Sequence, residues 1–272
     1  MMKTKLIVAV ALCSICLSSF ANGSNDPMPE PAPAMATPKP VTVERNCSTF
    51  VSIDNRSPCN VFYKQGETFR VSIVAQEEHI DKIKTTVVDG MLVIEMEENT
   101  FIQKVKDVKI NVESPSLTHV EISSSGSVTS QNPINVSGKP VTMSVKGSGN
   151  IKLKKLECSE LGVNVTGSGN AEIGDVKAKT SEVEVRGSGN VEYSGMKISD
   201  KINLTVYGSG NISVSGTVDE VKTTIHGSGG VSGRVNCDHV SAVIKGSGDV
   251  KFSGNVKSHD TVVTGSGRVT IK

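Results

Sequence analysis

The sequence lacks an excess of charge of either sign, and it lacks a long apolar run after its first 21 residues. It carries 29 Lys and Arg against 28 Asp and Glu, a formal net charge of +1. Without residues 1–21, which hold two Lys and no acid, 27 basic residues face 28 acidic ones and the charge is −1. A near-neutral chain lacks the basic surface that nucleic acids and anionic membranes attract. We therefore expect no nucleic-acid partner and no transmembrane segment after residue 21.

Helical periodicity and catalytic groupings are also scarce. The near absence of the helical pattern predicts an all-β protein. No nucleophile, acid and base stand out together, and regular spacing leaves no long loops from which a catalytic cleft is built. The chain also has no Gly-Gly-x-Gly-x-Asp calcium repeat. We therefore predict a non-enzyme with no catalytic residue, no cofactor-binding residue and no cofactor.

A small group of His and Asp residues near the C-terminus is a candidate metal site. It comprises Asp238, His239, His259 and Asp260, which neighbouring repeats bring into the same area. Their positions follow no tight ligand spacing of the kind that defines a zinc site. We therefore interpret them as solvated surface and predict no metal site.

The N-terminus indicates export. Lys3 and Lys5 precede an apolar run, and small residues follow it at Ser19 and Ala21, a pattern typical of a cleaved signal peptide over residues 1–21. Residues 22–40 are rich in Pro and predict an extended linker. The expected location is the periplasm, the outer surface or the medium.

Residues 41–115 predict a smaller, mainly antiparallel β region. Short apolar runs separated by turn residues recur through it. The clearest signal is Asp89-Gly90 between residues 85–88 and 91–94, because Asp-Gly accepts the two positive φ angles of a type I′ turn. This pair predicts a tight hairpin.

Gly-Ser-Gly recurs seven times over the rest of the chain, at intervals of 20, 20, 21, 19, 19 and 19 residues. A degenerate copy, Ser124-Ser125-Gly126, begins 23 residues before the first. The repeated glycines are Gly147, Gly149, Gly167, Gly169, Gly187, Gly189, Gly208, Gly210, Gly227, Gly229, Gly246, Gly248, Gly265 and Gly267.

Apolar and polar residues alternate on both sides of each Gly-Ser-Gly. Val and Ile dominate the positions two before and four after the first Gly, and polar residues lie between them. Each repeat therefore has one strand entering a corner and one leaving it. A period near 20 without a helical half predicts a parallel β-helix, a β-solenoid, over residues 116–272, and right-handed winding is the expected sense.

The glycines are interpreted as a structural turn ladder and not as a binding motif. Glycine suits a corner with positive φ and one where stacked coils approach too closely for a Cβ atom. Asn150, Asn170, Asn190 and Asn211 follow the corner in four successive coils, which predicts a hydrogen-bonded amide ladder.

Two of the six cysteines lie in the predicted signal peptide, and the other four divide into two pairs. Cys158 and Cys237 occupy the same repeat position four coils apart, about 19 Å by strand spacing, which exceeds the reach of a disulfide. They are predicted to be free thiols at a small, buried corner. Cys47 and Cys59 flank the first predicted strand, and in an oxidising compartment a disulfide between them is expected.

The repeated Val-x-Gly-Ser-Gly-Asn-Val element, together with residues 108–117 and the hairpin around Asp89-Gly90, resembles the putative auto-transporter adhesin head domain family, also called the GIN domain family. The similarity extends over nearly all of residues 45–272. The resemblance implies an exported bacterial protein of β-helical architecture with an adhesive role. The family supplies no established catalytic residues.

Three functions are hypotheses for a protein with these features. The favoured one is an adhesin-like or cell-envelope scaffold that presents its outward columns, Arg186 and Tyr207 among them, to an unidentified protein or glycan. A second is a self-assembling solenoid, a homo-oligomer formed through an uncapped C-terminal coil that ends in an open strand edge. The third, a carbohydrate-active enzyme, is disfavoured by the missing cleft.

Overall fold

A computed structural model of the protein describes residues 39–97 and 107–272. The predicted signal peptide and nearly all of the Pro-rich linker lie outside these residues, as does the beginning of a strand expected at residues 105–112. In the part that is described, no helix has the length and apolar character needed to span a membrane.

The described residues before His119 form seven strands and one short helix. They include the Asp89-Gly90 hairpin, in which residues 83–88 and 91–96 pair antiparallel and the turn residues have φ angles of 50° and 74°. The hairpin prediction is thus confirmed. The elements are β1 (Val41–Arg45), β2 (Ser52–Asn55), β3 (Asn60–Gln65), β4 (Arg70–Ala75), α1 (Glu77–Ile80), β5 (Ile83–Val88), β6 (Met91–Met96) and β7 (Lys109–Ser114).

The second part is a β-solenoid of about eight turns, which confirms the predicted fold class. Its strands are β8 (His119–Ile122), β9 (Ser127–Ser130), β10 (Ile134–Asn135), β11 (Val141–Val145), β12 (Asn150–Glu157), β13 (Glu160–Gly167), β14 (Asn170–Ala178), β15 (Thr180–Gly187), β16 (Asn190–Ile198), β17 (Lys201–Gly208), β18 (Asn211–Thr217), β19 (Glu220–Gly227), β20 (Gly230–Gly246), β21 (Asp249–Ser253), β22 (Val256–Thr264) and β23 (Arg268–Ile271).

The solenoid strands form two parallel sheets. Sheet I contains the strands that enter each Gly-Ser-Gly corner, namely β8, β11, β13, β15, β17, β19, the second half of β20 and β22. Sheet II contains the strands that leave it, namely β9, β12, β14, β16, β18, the first half of β20, β21 and β23, together with the short β10, which pairs with the end of β12.

The register places equivalent repeat positions side by side. Val163 pairs with Val183, and Val183 pairs with Leu204 in the next coil. These inward side chains belong to one apolar cluster that runs from Phe50 to Phe252. No coil buries its own apolar face, so each coil depends on its neighbours for stability.

Parallel pairing continues from the solenoid into the first part of the chain. In sheet I, β8 pairs parallel with β2, and β2 with β6; in sheet II, β9 pairs parallel with β3, and β3 with β7. Antiparallel strands lie outside this stack: β5 on β6, and β4 and then β1 on β7. The predicted antiparallel strands therefore cover the N-terminal end of a core that is continuous with the solenoid.

The Gly-Ser-Gly corners stack into a ridge, and two different demands exclude other residues there. The first glycine has positive φ in six coils, for example 125° at Gly187. At the third position, Gly189 for instance, an added Cβ would lie well within 3.0 Å of the carbonyl oxygen of Gly169 in the coil before. The predicted turn ladder is thus explained by backbone geometry and close approach.

The predicted asparagine ladder is present along the ridge. The side-chain amide of Asn170 donates to Asn150 Oδ1 at 2.9 Å, that of Asn190 to Asn170 at 2.9 Å, and that of Asn211 to Asn190 at 3.1 Å. Gly230 occupies the next position, where the ladder stops.

Sheet II contains a bend that the sequence analysis missed. Burial alternates along β12 until Lys154 and Lys155, two exposed residues in succession, and then resumes at Leu156. The equivalent positions in the next two coils are 174–175 and 194–195, and in the two coils after those a single residue, Ser215 and then Arg234, takes the place of the pair. The strands of sheet II from β12 to β18 therefore turn a second corner, and the outer surface is concave there.

Candidate functional site

Three planar side chains stack along the outer face of sheet I, one from each of three successive coils. Register places Arg186 beside Tyr207 and Tyr207 beside His226. The Arg186 guanidinium carbon lies 4.4 Å from the centre of the Tyr207 ring. The Tyr207 and His226 rings are 5.0 Å apart and nearly parallel, at 11°. We call these three residues the planar stack.

The planar stack is held in place and remains accessible. The Arg186 guanidinium also pairs with the Glu184 carboxylate on the same strand, which fixes its orientation over the ring. Tyr207 keeps 37% of its surface exposed, whereas Tyr63 and Tyr193, the other two tyrosines, are buried. Arg and Tyr are the residue types that most often dominate the energy of protein interfaces. The two residues predicted as partner surface thus form one cluster, which His226 extends.

A shallow groove of about 520 Å³ follows the bend of sheet II. We call it the bend groove. Its floor is formed by the backbone of Gly195 and Gly216 and by the buried side chains of Val176 and Met196. The expectation of a surface without any cleft therefore needs correction, because strand curvature produces a depression without long loops.

The rim of the bend groove carries more positive than negative charge. Lys155, Lys177, Lys197 and Arg234 line it, against one carboxylate, Asp175. Lys177 is engaged by Glu157 at 2.6 Å. Lys155, Lys197 and Arg234 form no ion pair with any described residue. Three exposed cations therefore remain available to a ligand.

The His and Asp residues near the C-terminus are placed as separate surface contacts. His239 Nε2 lies 3.5 Å from Asp260 Oδ2, and its Nδ1 lies 2.9 Å from Ser258 Oγ. Asp238 pairs instead with Lys257 at 2.6 Å. Across residues 39–97 and 107–272, no three His, Cys, Asp or Glu side chains are grouped as metal ligands.

All four cysteines of the described chain are free thiols. Cys158 and Cys237 are buried, as predicted for their repeat position. Burial raises the pKa of the Cys158 thiol to about 12, and nearby Glu157 adds to the shift, so the thiol is unreactive at neutral pH. Cys47 and Cys59 are not bridged in this structure. Their disulfide remains a prediction.

The fold and its surface define a β-solenoid with two accessible clusters on opposite sheets. Residues 49–231 and 203–272 match the family described as putative auto-transporter adhesin, head GIN domain. These matches extend over most of the chain, so the protein belongs to this bacterial family. The predicted family resemblance is confirmed.

Solved structures of similar fold come from bacteria of the genus Parabacteroides. A putative adhesin from Parabacteroides distasonis is 17% identical with a TM-score of 0.78, covering 86% of this chain and 98% of that one. A putative adhesin from Parabacteroides merdae is 20% identical with a TM-score of 0.75, covering 86% and 96%. A putative lipid binding protein from P. distasonis is 24% identical with a TM-score of 0.75, covering 86% and 97%. Identities this low establish the fold alone. No curated protein matches the chain.

Proposed function

We propose that the protein is an exported, non-catalytic binding protein of the bacterial cell envelope with an adhesin-like role. It presents the outer face of its solenoid to a protein or glycan partner. The observation that carries this proposal is the planar stack of Arg186, Tyr207 and His226. Its members protrude from three adjacent coils of a rigid sheet, so their spacing is preset and little side-chain freedom is lost on binding.

The surroundings of the planar stack support recognition over catalysis. General acid–base catalysis requires groups that converge on one point, with an activated nucleophile or base within hydrogen-bond reach. The three side chains instead lie one behind another along the ladder, separated by the strand spacing. Arg186 and His226 lie against opposite faces of the Tyr207 ring. The row therefore presents ring edges, the Tyr207 hydroxyl and the N–H groups of Arg186 and His226, which can hydrogen-bond a sugar or a peptide. Membership of an adhesin head family agrees with this use and with export.

Substitution of the planar stack tests the proposal. The double variant Arg186→Ala/Tyr207→Ala is compared with Thr166→Ala/Lys245→Ala, which alters the same outward column in other coils. Binding of the purified protein to a panel of neutral and charged glycans and host-matrix proteins is measured. We expect the first variant to lose at least about tenfold in affinity for a bound partner, and the control to retain it. Equal binding by both variants would contradict the role of the stack.

The cellular location tests the adhesin part separately. Intact cells are treated with protease, and digestion of the protein is compared with digestion after the outer membrane is permeabilised. An adhesin is digested in both cases. A protein that is cut only after permeabilisation lies in the periplasm. In that case the adhesin role is wrong, while a role as an envelope scaffold remains consistent with the result.

A second candidate function is self-association through the last coil. Val263 occupies the inward column in which Ile225 and Ile244 are fully buried, yet it is 41% exposed. A second copy stacked on β22 would bury it and pair the outer strand edge. The variant Val263→Lys is expected to abolish a concentration-dependent dimer in sedimentation experiments. A parent protein that stays monomeric at high concentration would exclude this function.

A further inference from the structure

We propose that the bend groove binds a linear anionic glycan, one whose sugar units carry carboxylate or sulfate groups. This inference concerns a different face from the planar stack and goes beyond the proposed function, because it assigns a chemical class of ligand. It rests on Lys155, Lys197 and Arg234, on the glycine floor of the groove and on the absence of aromatic residues from its lining.

The cations follow the axis of the solenoid. Lys155 and Arg234 belong to coils four steps apart, which corresponds to about 19 Å at the spacing of adjacent strands. Lys197 lies between them, beside Lys177 in the ladder. All are exposed and unpaired except Lys177, which Glu157 engages. An extended polymer lying along the groove would therefore meet a positive side chain at intervals of one or two coils.

The floor allows such a polymer to approach the backbone. Ser194-Gly195 and Ser215-Gly216 provide small side chains in two adjacent coils, where larger residues would fill the concavity. Asn236 adds an amide that can bond hydroxyl groups. Val176 and Met196 supply apolar surface beneath, which suits the carbon faces of sugar rings. The groove therefore combines charge, hydrogen-bonding groups and apolar contact in the proportions expected of a polar ligand site.

The lining argues against two other ligands. Proteins that hold single-stranded nucleic acids combine a positive groove with aromatic rings on which bases stack, and this groove contains no ring among its lining residues. Binding sites for neutral sugars also rely on stacking against aromatic rings. The depression that continues toward the C-terminus has balanced charges, Lys197 and Lys257 against Asp219 and Asp238. The positive character is thus restricted to the bend groove.

Charge reversal in the groove tests the proposal. The double variant Lys197→Glu/Arg234→Glu is compared with Lys222→Glu/Lys245→Glu, which makes the same change in net charge on sheet I. The probes are polygalacturonate, which carries carboxylates, heparin, which adds sulfates, neutral dextran and oligo-dT. Binding is measured by calorimetry at two salt concentrations, and thermal unfolding of each variant confirms that the fold is retained.

We expect the parent protein to bind polygalacturonate, heparin or both, and to bind neither dextran nor oligo-dT. The preferred polyanion identifies the anionic group. The groove variant should lose at least about tenfold in affinity and show a weaker salt dependence, while the sheet I variant stays within about twofold of the parent. Equal losses in both variants, equal binding of oligo-dT, or no binding of either anionic glycan would overturn the proposal. The planar-stack variant should bind the polyanion normally, so the two proposals fail independently.

Discussion

The ridge and the bend are both corners of the same coils, yet their residues behave in opposite ways. At the ridge, Gly-Ser-Gly repeats in seven successive coils after the degenerate copy Ser124-Ser125-Gly126. At the bend, the equivalent residues are Lys154-Lys155, Gly174-Asp175 and Ser194-Gly195, and then Ser215 and Arg234 alone. The ridge is uniform because the carbonyl oxygen of the preceding coil occupies the space that a Cβ would need. At the bend the constraint differs from coil to coil: a Cβ on Gly195 would meet the side chain of Asp175, whereas one on Gly174 would meet the backbone carbonyl of Lys154.

This difference indicates which positions of a repeat protein can form a binding site. A repeated residue that satisfies a packing constraint in every coil is explained by the fold. Positions that vary between coils are less constrained by packing and can hold binding residues. The three unpaired cations of the bend groove lie at or near such positions. The same reasoning applies to the planar stack, whose column also holds Lys and Thr in other coils.

The largest expected effect comes from adding one methyl group to the ridge. Gly189→Ala should destabilise the protein by about 3 kcal/mol, because its Cβ would meet the backbone carbonyl of Gly169, which cannot move without displacing a coil. Gly195→Ala at the bend is the matched change. Its Cβ would lie 2.5 Å from Asp175 Oδ1, the end of a side chain that can rotate away, so less than about 1 kcal/mol is expected.

Urea unfolding of both alanine variants measures this contrast. If Gly195→Ala destabilises the protein as much as Gly189→Ala, the bend is packed as tightly as the ridge, and the comparison between the two corners is wrong.

A smaller effect is expected from the amide ladder of the ridge. Asn190→Ala removes the bond that its amide donates to Asn170 and the two that its Oδ1 accepts from the side chain and the backbone N–H of Asn211. Because the ladder is exposed, water replaces part of this energy, and a loss of about 1 kcal/mol is expected. Ser213→Ala, an exposed change in sheet II that breaks no hydrogen bond in the described structure, is the control. Chemical denaturation that gives equal midpoints for the two variants would show that the ladder adds no stability.

The smallest effect on stability is expected from a substitution in the core, on the inward side of sheet I. Thr223 is fully buried, and its hydroxyl has no hydrogen-bond partner among the described residues. Thr223→Val should therefore stabilise the protein by up to about 1 kcal/mol, since an unsatisfied polar atom is replaced by a methyl group of similar size. Thr224→Val, on the outward side of the same strand, should change little. A thermal unfolding midpoint that falls in Thr223→Val would indicate a hydrogen bond to water at this site.

Most of the solenoid was predictable because its pattern is local and repeated. Alternation around Gly-Ser-Gly predicted two strands and a corner in each coil, and the recurrence of Asn predicted the ladder. Asp89-Gly90 predicted its hairpin for the same reason, since both turn residues need positive φ. Strand β1 and helix α1 were missed, because five alternating residues and a single helical turn carry little signal of their own.

The bend could have been found from the sequence, although it was not. Lys154-Lys155, Gly174-Asp175 and Ser194-Gly195 are successive small or polar pairs that interrupt the alternation at the same place in their coils. The parallel continuation of the core through β2, β3, β6 and β7 had no such signal, because pairing direction depends on strands distant in sequence.

The repeat, the β-solenoid architecture and the structural role of the ridge follow from the sequence alone, because each depends on periodicity and on the limits of glycine geometry. Which outward residues meet depends on the folded coils. Arg186, Tyr207 and His226 stack from three coils, and Asp238 pairs with Lys257 while His239 contacts Asp260. A cationic groove also forms from residues up to four coils apart. These contacts depend on the register and curvature of stacked strands, which no single repeat encodes.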